Sequence, residues 1–327
     1  MKYGLGKGWM GILFAVLMII TFGFAYNSVQ SNTICLAWQK AFGIEPATMG
    51  IVLTALTLLI IFGGIHRVAK FSSTVVPVMA VVYLLVAVGV VIWNITCLPK
   101  VLITIVENAF GFNQAAGGVL GVTVIQGIKR GLFSNEAGEG SAPNAAAVAT
   151  VSHPVKQGLI QALGVFTDTL VVCSCTAFII LVSGVDVTAS NGIQLTQDAL
   201  THEIGSIGNP FVAVMICLFA FSSIIGNYYY GETNVRYIKD SKLGVFVYRL
   251  AVAAMVMTGA VVSLDFAWSF ADITMALLTL CNLVAIVLLS RQAVFLLQDY
   301  RQQKKEGRNP VFSKDKMPEI ADKLEAW

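Results

Sequence analysis

The sequence predicts an all-α integral membrane protein, and three observations carry that reading. Hydrophobic residues make up 57% of the 327 and charged residues only 12%, about half the charged share usual in soluble domains. The apolar residues come in runs of the length a helix needs to cross a hydrocarbon layer of about 30 Å. The charges gather between those runs and in the last thirty or so residues. Such a chain dissolves in lipid rather than in water.

Taken in order, the apolar runs lie near residues 8–38, 47–65, 71–95, 115–151 (interrupted), 155–183, 209–234, 244–264 and 267–290, which gives about eight transmembrane helices. The first run has no cleavage pattern and is too long for the core of a signal peptide. Lys2 and Lys7 precede the first run, and His66, Arg67 and Lys70 join the second to the third. Lys156 follows the fourth, and Arg236, Lys239, Lys242 and Arg249 follow the sixth. The alternate connections are poorer in base, so the positive-inside rule puts both termini in the cytoplasm. Residues 193–206 read as an amphipathic helix at the outer surface. The division that follows is a polytopic domain over 1–296 and a solvated cytoplasmic tail over 297–327.

Several function classes are excluded on composition and spacing. A net charge of +3, spread over loops, is topology information and leaves no nucleic-acid footprint. The six cysteines lack CxxC pairing and read as buried packing groups. The three histidines lack metal-ligand spacing, so no metal site is expected. Trp9, Trp38, Trp93 and Trp268 fall near run ends and read as interface anchors. "GLGKG" at 4–8 lacks the strand and the Ser or Thr of a phosphate loop. No catalytic constellation is present, and an enzyme is not expected.

One stretch stands out: "GLFSNEAGEGSAP", residues 131–143, inside the interrupted fourth run. Gly138 and Gly140 release the backbone from helical geometry, while Ser141 and Pro143 read as an N-cap with proline in the first turn. One helix stops and another starts. Unpaired backbone groups at membrane depth are tolerated only where they line a cavity or are covered by protein, so a break here implies a site. The alternative is an extramembrane loop between two short helices.

That stretch, with "HPVKQGLIQALGVFTDTLVV" (153–172) behind it, resembles the alanine or glycine:cation symporters, the bacterial sodium:alanine symporter family. The resemblance extends to "GLGKGWMGILFAV" (4–16), "NSVQSN" (27–32), "FGGIHRVAKFSSTVVPVMAVVYLL" (62–85), "LFAFSSIIGNYYYGE" (218–232) and "ADITMALLTLCNLVAIVLLS" (271–290). It implies a leucine-transporter-type bundle of two inverted five-helix repeats with a midplane site. It also implies sodium-coupled symport of alanine or glycine across the bacterial inner membrane, with sodium as the co-transported ion and no organic cofactor. On this alignment Met1 falls after an N-terminal helix and the first two core helices of the family. The expectation is that the chain lacks a partner broken helix and does not transport by itself. The alternative function is a truncated, transport-inactive remnant or interaction partner. The oligomeric state is left open.

Within that frame Phe133, Ser134, Asn135 and Gly138 are the candidates for holding a small zwitterion, against a purely structural cap. Glu136 and Glu139 are candidate gating or coupling acids, although Glu136 could also pair with Lys129 or Arg130 earlier in the run as an ordinary ion-pair partner. Asn27, Gln30 and Ser31 follow i, i+3, i+4 spacing and form a polar stripe, either cavity-lining or engaged in interhelical hydrogen bonds. The resemblance implies that the sixth run bears a sodium site, for which the Phe219 carbonyl and the Ser222 and Ser223 hydroxyls are candidates. Serines bonding back to the preceding turn are the alternative. Asp168 and Asp272 are carboxylates at depth without a partner recognisable in the sequence.

Overall fold

A computed structural model describes residues 1–63, 65–110, 117–319 and 321–323, without the side chains of 65–76, 117–123 and 323. The basic connection His66, Arg67 and Lys70 has side chains outside the described set, as does the start of the interrupted fourth run. Among the described residues all regular structure is helical.

After a single turn at Lys2–Leu5 come α1 (Gly8–Phe42), α2 (Pro46–Ile61), α3 (Ile65–Trp93), α4 (Leu98–Phe110), α5 (Gly117–Asn135) and α6 (Ser141–Ala146). They are followed by α7 (Pro154–Ser183), α8 (Ile193–Ile204), α9 (Gly208–Ile238), α10 (Lys242–Val261) and α11 (Leu264–Lys305). Among the described residues five stretches are long and apolar enough to cross a membrane, and a sixth qualifies if α3 and α4, bent by 103°, count as one span. Of the remaining expected spans, α2 has 16 residues and the fourth run is broken. The turn Asn94–Cys97 and helix α4 fall where the sequence reading placed only a base-poor connection.

Helices α1 and α9 form the centre. One apolar cluster joins Ile34 and Cys35 of α1, Leu53 of α2, Ile224 and Tyr228 of α9 and Val252 of α10. A second joins Phe22 and Tyr26 of α1 to Ala271, Met275 and Leu278 of α11. A third joins Tyr83 of α3, Ile179 of α7, Leu200 of α8 and Val212 of α9. Fully burying a side chain of this size stabilises by about 1.5–3 kcal/mol in water, but between helices in lipid, van der Waals packing carries the association. Polar ties fix the register: Ser31 Oγ donates to the Val256 carbonyl at 2.6 Å, and Asn32 Nδ2 to the carbonyls of Gly259 and Val262.

One expectation, that of six buried cysteines, needs correction, and the expected tail over 297–327 proves to start on a helix: α11 runs 42 residues to Lys305, about 63 Å at the helical rise and twice the apolar thickness. Residues 308–316 then fold back as a strap: the Phe312 amide donates to the Ser152 carbonyl at 2.9 Å, and Ser152 Oγ to the Pro310 carbonyl. Gln303 grips Val311 through both its backbone groups. His153, fully buried, accepts from the Val155 amide at Nδ1 and meets Asp299 through Nε2 at 3.2 Å. Of the cysteines only Cys35 is buried, while Cys97 and Cys173 are exposed on the Asn94–Cys97 turn and on α7.

Candidate functional site

Helix α5 ends at Asn135 because the next residues cannot hold helical dihedrals. Glu136 has φ +48°, the one positive value at a non-glycine among the described residues, and Gly138 and Gly140 have φ +80° and +83°. A left-handed conformation costs an L-residue about 1–2 kcal/mol, which is why glycine occupies two of the three positions. Space decides it as well: a Cβ on Gly140 would lie 2.8 Å from the Phe14 ring and 2.9 Å from the Asn282 amide. The freed carbonyls find side-chain donors, Asn282 Nδ2 at 2.8 Å from Gly138 O and Asn144 Nδ2 at 3.0 Å from Gly140 O. Helix α6 begins at Ser141, with Gly140 as its N-cap. Ser141 is therefore not the cap the sequence suggested, since its hydroxyl donates to the Glu136 carboxylate instead.

Two π-helical segments face this break, a distortion that is frequent at functional sites. The one in α1, Ile19–Tyr26, ends on Tyr26, whose hydroxyl donates to Glu139 Oε1 at 2.7 Å. The one in α7, Asp168–Cys173, begins with Asp168 and Thr169. Ser134 Oγ donates to Asp168 Oδ2, and Thr169 Oγ1 donates to Asn135 Oδ1 at 2.7 Å. Asp168 thereby acquires the partner that the sequence left unnamed.

The Phe133 ring packs at a tilt between Tyr26 and Trp268, with centroids 4.6 and 4.8 Å away. Trp268 also lies 4.0 Å under the Arg130 guanidinium, so this indole packs against the end of α5 beside the break. Arg130 pairs with Asp272, and Lys129 Nζ lies 3.3 Å from the same carboxylate. Both cations are thus engaged by Asp272, which overturns the ion-pair alternative for Glu136.

Cavities of about 630 and 390 Å³ lie beside the break. Gly138, Gly140, Asn144, Asn234 and Asn282 line the larger, and Ser134, Asn135, Gln161, Asp168 and Tyr230 the smaller. Glu136 lines both. An amino acid's two charged ends would meet amide, hydroxyl and carboxylate groups in the smaller one.

The other candidates sit elsewhere. Asn27 donates to the Gly23 carbonyl and accepts from Asn227 of α9 at 3.2 Å, and Ser31 reaches α10. Those two members of the stripe make hydrogen bonds within and between helices, while Gln30 is half-buried and lines neither cavity. In α9, Ser222 and Ser223 both donate to the Phe219 carbonyl, at 2.7 and 3.1 Å, and the Phe219 ring packs edge-on against Tyr83. Their oxygens retain lone pairs for a cation. Sequence reasoning missed Tyr26, Tyr230, Asn282 and the pair Asn227 and Asn234. Two asparagines seven apart in an apolar helix share one face, a signal present in the sequence.

A profile of the sodium:alanine symporter family matches residues 1–314. The chain belongs to that family. It is 55% identical over 316 residues to the probable sodium/glutamine symporter GlnT of Bacillus subtilis, covering 96% of this chain and 66% of that protein. It is 51% identical to the amino-acid carrier protein AlsT of the same organism, covering 99% and 69%. With the sodium/alanine symporter AgcS of Methanococcus maripaludis it shares 35% identity over 94% and 68%. The chain spans about two thirds of the length of these relatives. Their names are those of carriers, so the reading as an inactive remnant or interaction partner is not favoured.

Proposed function

We propose that the protein carrying this chain is a secondary active transporter, coupling sodium entry to uptake of a small amino acid, alanine or glycine. The observation that carries the reading is the break between α5 and α6, where Ser134, Asn135 and Glu136 border an open cavity of about 390 Å³ within an otherwise apolar sequence. Intramembrane polar groups are expensive and are kept where they bind or conduct. Phe133, Ser134, Asn135 and Gly138 hold the zwitterion, Glu136 and Glu139 gate or couple, and the Phe219 carbonyl with Ser222 and Ser223 holds sodium. Asn27 and Gln30 shape the site through α1. A leucine-transporter-type inverted repeat with about eight spans, lying in the bacterial inner membrane with both termini cytoplasmic, is the arrangement this reading uses.

A second substrate reading, glutamine, is favoured by the 55% identity to a relative named for it. The test is uptake of labelled alanine, glycine and glutamine into vesicles, with and without a sodium gradient, by the chain alone and by the chain extended to its relatives' length. Uptake that follows the sodium gradient is expected, and uptake indifferent to sodium in both forms overturns the reading. The substrate taken up fastest separates the two readings.

A further inference from the structure

We propose that Glu139 is a proton-binding site, holding a proton on Oε2 in the conformation described and favouring an opened break when it loses it. Its role in coupling rests on the symport reading above, whereas the site itself rests on geometry. Glu139 is fully buried. Oε1 accepts the Tyr26 hydroxyl at 2.7 Å, and Oε2 has no hydrogen-bond partner. Beside the neighbouring Gly138, Thr279 Oγ1 is also buried without a partner, its methyl 3.2 Å from where a Cβ of Gly138 would stand.

The titratable groups that act on it directly are Tyr26 on α1 and Glu136 on the same turn, with Asp272 of α11 and Tyr230 of α9 facing those two in turn. Lys129 and Arg130 meet Asp272, and among the described residues no cation forms an ion pair with Glu139. A bare carboxylate in an apolar surround costs far more than a neutral carboxyl one hydrogen bond short. The neutralising species has to be small. Glu139 lines neither cavity, and a hard metal cation needs several oxygen ligands around it. A proton needs one lone pair and no room. It binds from solvent, forms one O–H bond and breaks none in the protein. Once it leaves, the charged carboxylate must reach water, and the nearest route opens where Glu136, Gly138 and Gly140 already border a cavity. Deprotonation therefore shifts the population toward an opened break.

Infrared spectroscopy of the purified chain in lipid tests this without any need for transport. A carboxylic-acid carbonyl band that moves in heavy water is expected at neutral pH, lost in Glu139→Gln and retained in Glu136→Gln. In Tyr26→Phe the band is expected to shift, since the Tyr26 donor is gone, and this variant keeps the test sharp if Glu139→Gln does not fold. A band unchanged in both Glu139→Gln and Tyr26→Phe, or no such band in the parent, overturns the proposal. Uptake indifferent to sodium in both the chain and its extended form overturns the symport reading and leaves the spectroscopic answer standing.

Discussion

Residues 131–143 and 218–232 resemble one another as sequence, each a mixture of Phe, Ser, Asn, Gly and Glu set in apolar helix, yet the first breaks and the second does not. In the first, Gly138 and Gly140 stand two apart at positive φ with Pro143 behind them, and the carbonyls they release are caught by Asn282 and Asn144. In the second, Gly226 and Gly231 stay helical within α9. Its polar side chains turn back or across, Ser222 and Ser223 to the Phe219 carbonyl and Asn227 to Asn27. Their carboxylates differ too. Glu232 meets Arg236 and Arg249, whereas Glu139 meets only a tyrosine hydroxyl. Polar residues do not open an apolar helix by themselves. Closely spaced glycines that no side chain can replace do, and the charge stranded there becomes available for chemistry.

Substitution separates the two regions most strongly at glycine. Gly140→Ala should cost about 2–4 kcal/mol, from the left-handed penalty plus overpacking against Phe14 and Asn282. Thermal unfolding in detergent reads it. Asp272→Asn should cost about 1–3 kcal/mol, the penalty for leaving a charged partner unsatisfied, moderated because Arg130 keeps the Trp268 ring. The strap that holds the far end of the broken segment should respond to acid. Burial alone would raise the Asp299 carboxyl, but Lys316, His153 and Gln303 outweigh it and hold it below its usual range. Its stabilising contribution is therefore present above the unfolded value of about 4 and is lost as pH falls through the lower folded value. Hydrogen exchange at the Phe312 amide, corrected for intrinsic rate, should show release only in acid. Release already at neutral pH would contradict this. The smallest effect belongs to the unbroken helix: Gly226→Ala, with open space around its Cβ, should be neutral or stabilise by up to about 1 kcal/mol.

The break itself was legible, because paired glycines with a following proline in an apolar run have few other uses. So were most helices, although α4 was not, its apolar residues being interleaved with Lys100, Glu107 and Asn108. The partners around the break were not legible. Tyr26 lies 113 positions from Glu139, and Arg130 lies 142 from Asp272, distances over which no periodicity carries. The contacts of Trp268 were hidden for the same reason, since its place near a run end said nothing of Phe133 and Arg130. The strap within the tail was not legible either, because polarity describes side chains that face one another across it as well as it describes side chains facing water.

The central claim is that the break binds substrate while α9, still helical, holds the ion. Alanine binding titrated against sodium, in the chain extended to its relatives' length, tests this most directly with Asn135→Ala set beside Ser222→Ala and Ser223→Ala. Asn135→Ala should weaken alanine binding at every sodium concentration. The serine variants should weaken it only when sodium is limiting, with a sodium requirement raised roughly tenfold, the equivalent of about 1.4 kcal/mol, and saturating sodium should restore them, as linkage requires. Unchanged alanine affinity in Asn135→Ala, together with an unchanged sodium requirement in both serine variants, would contradict the account.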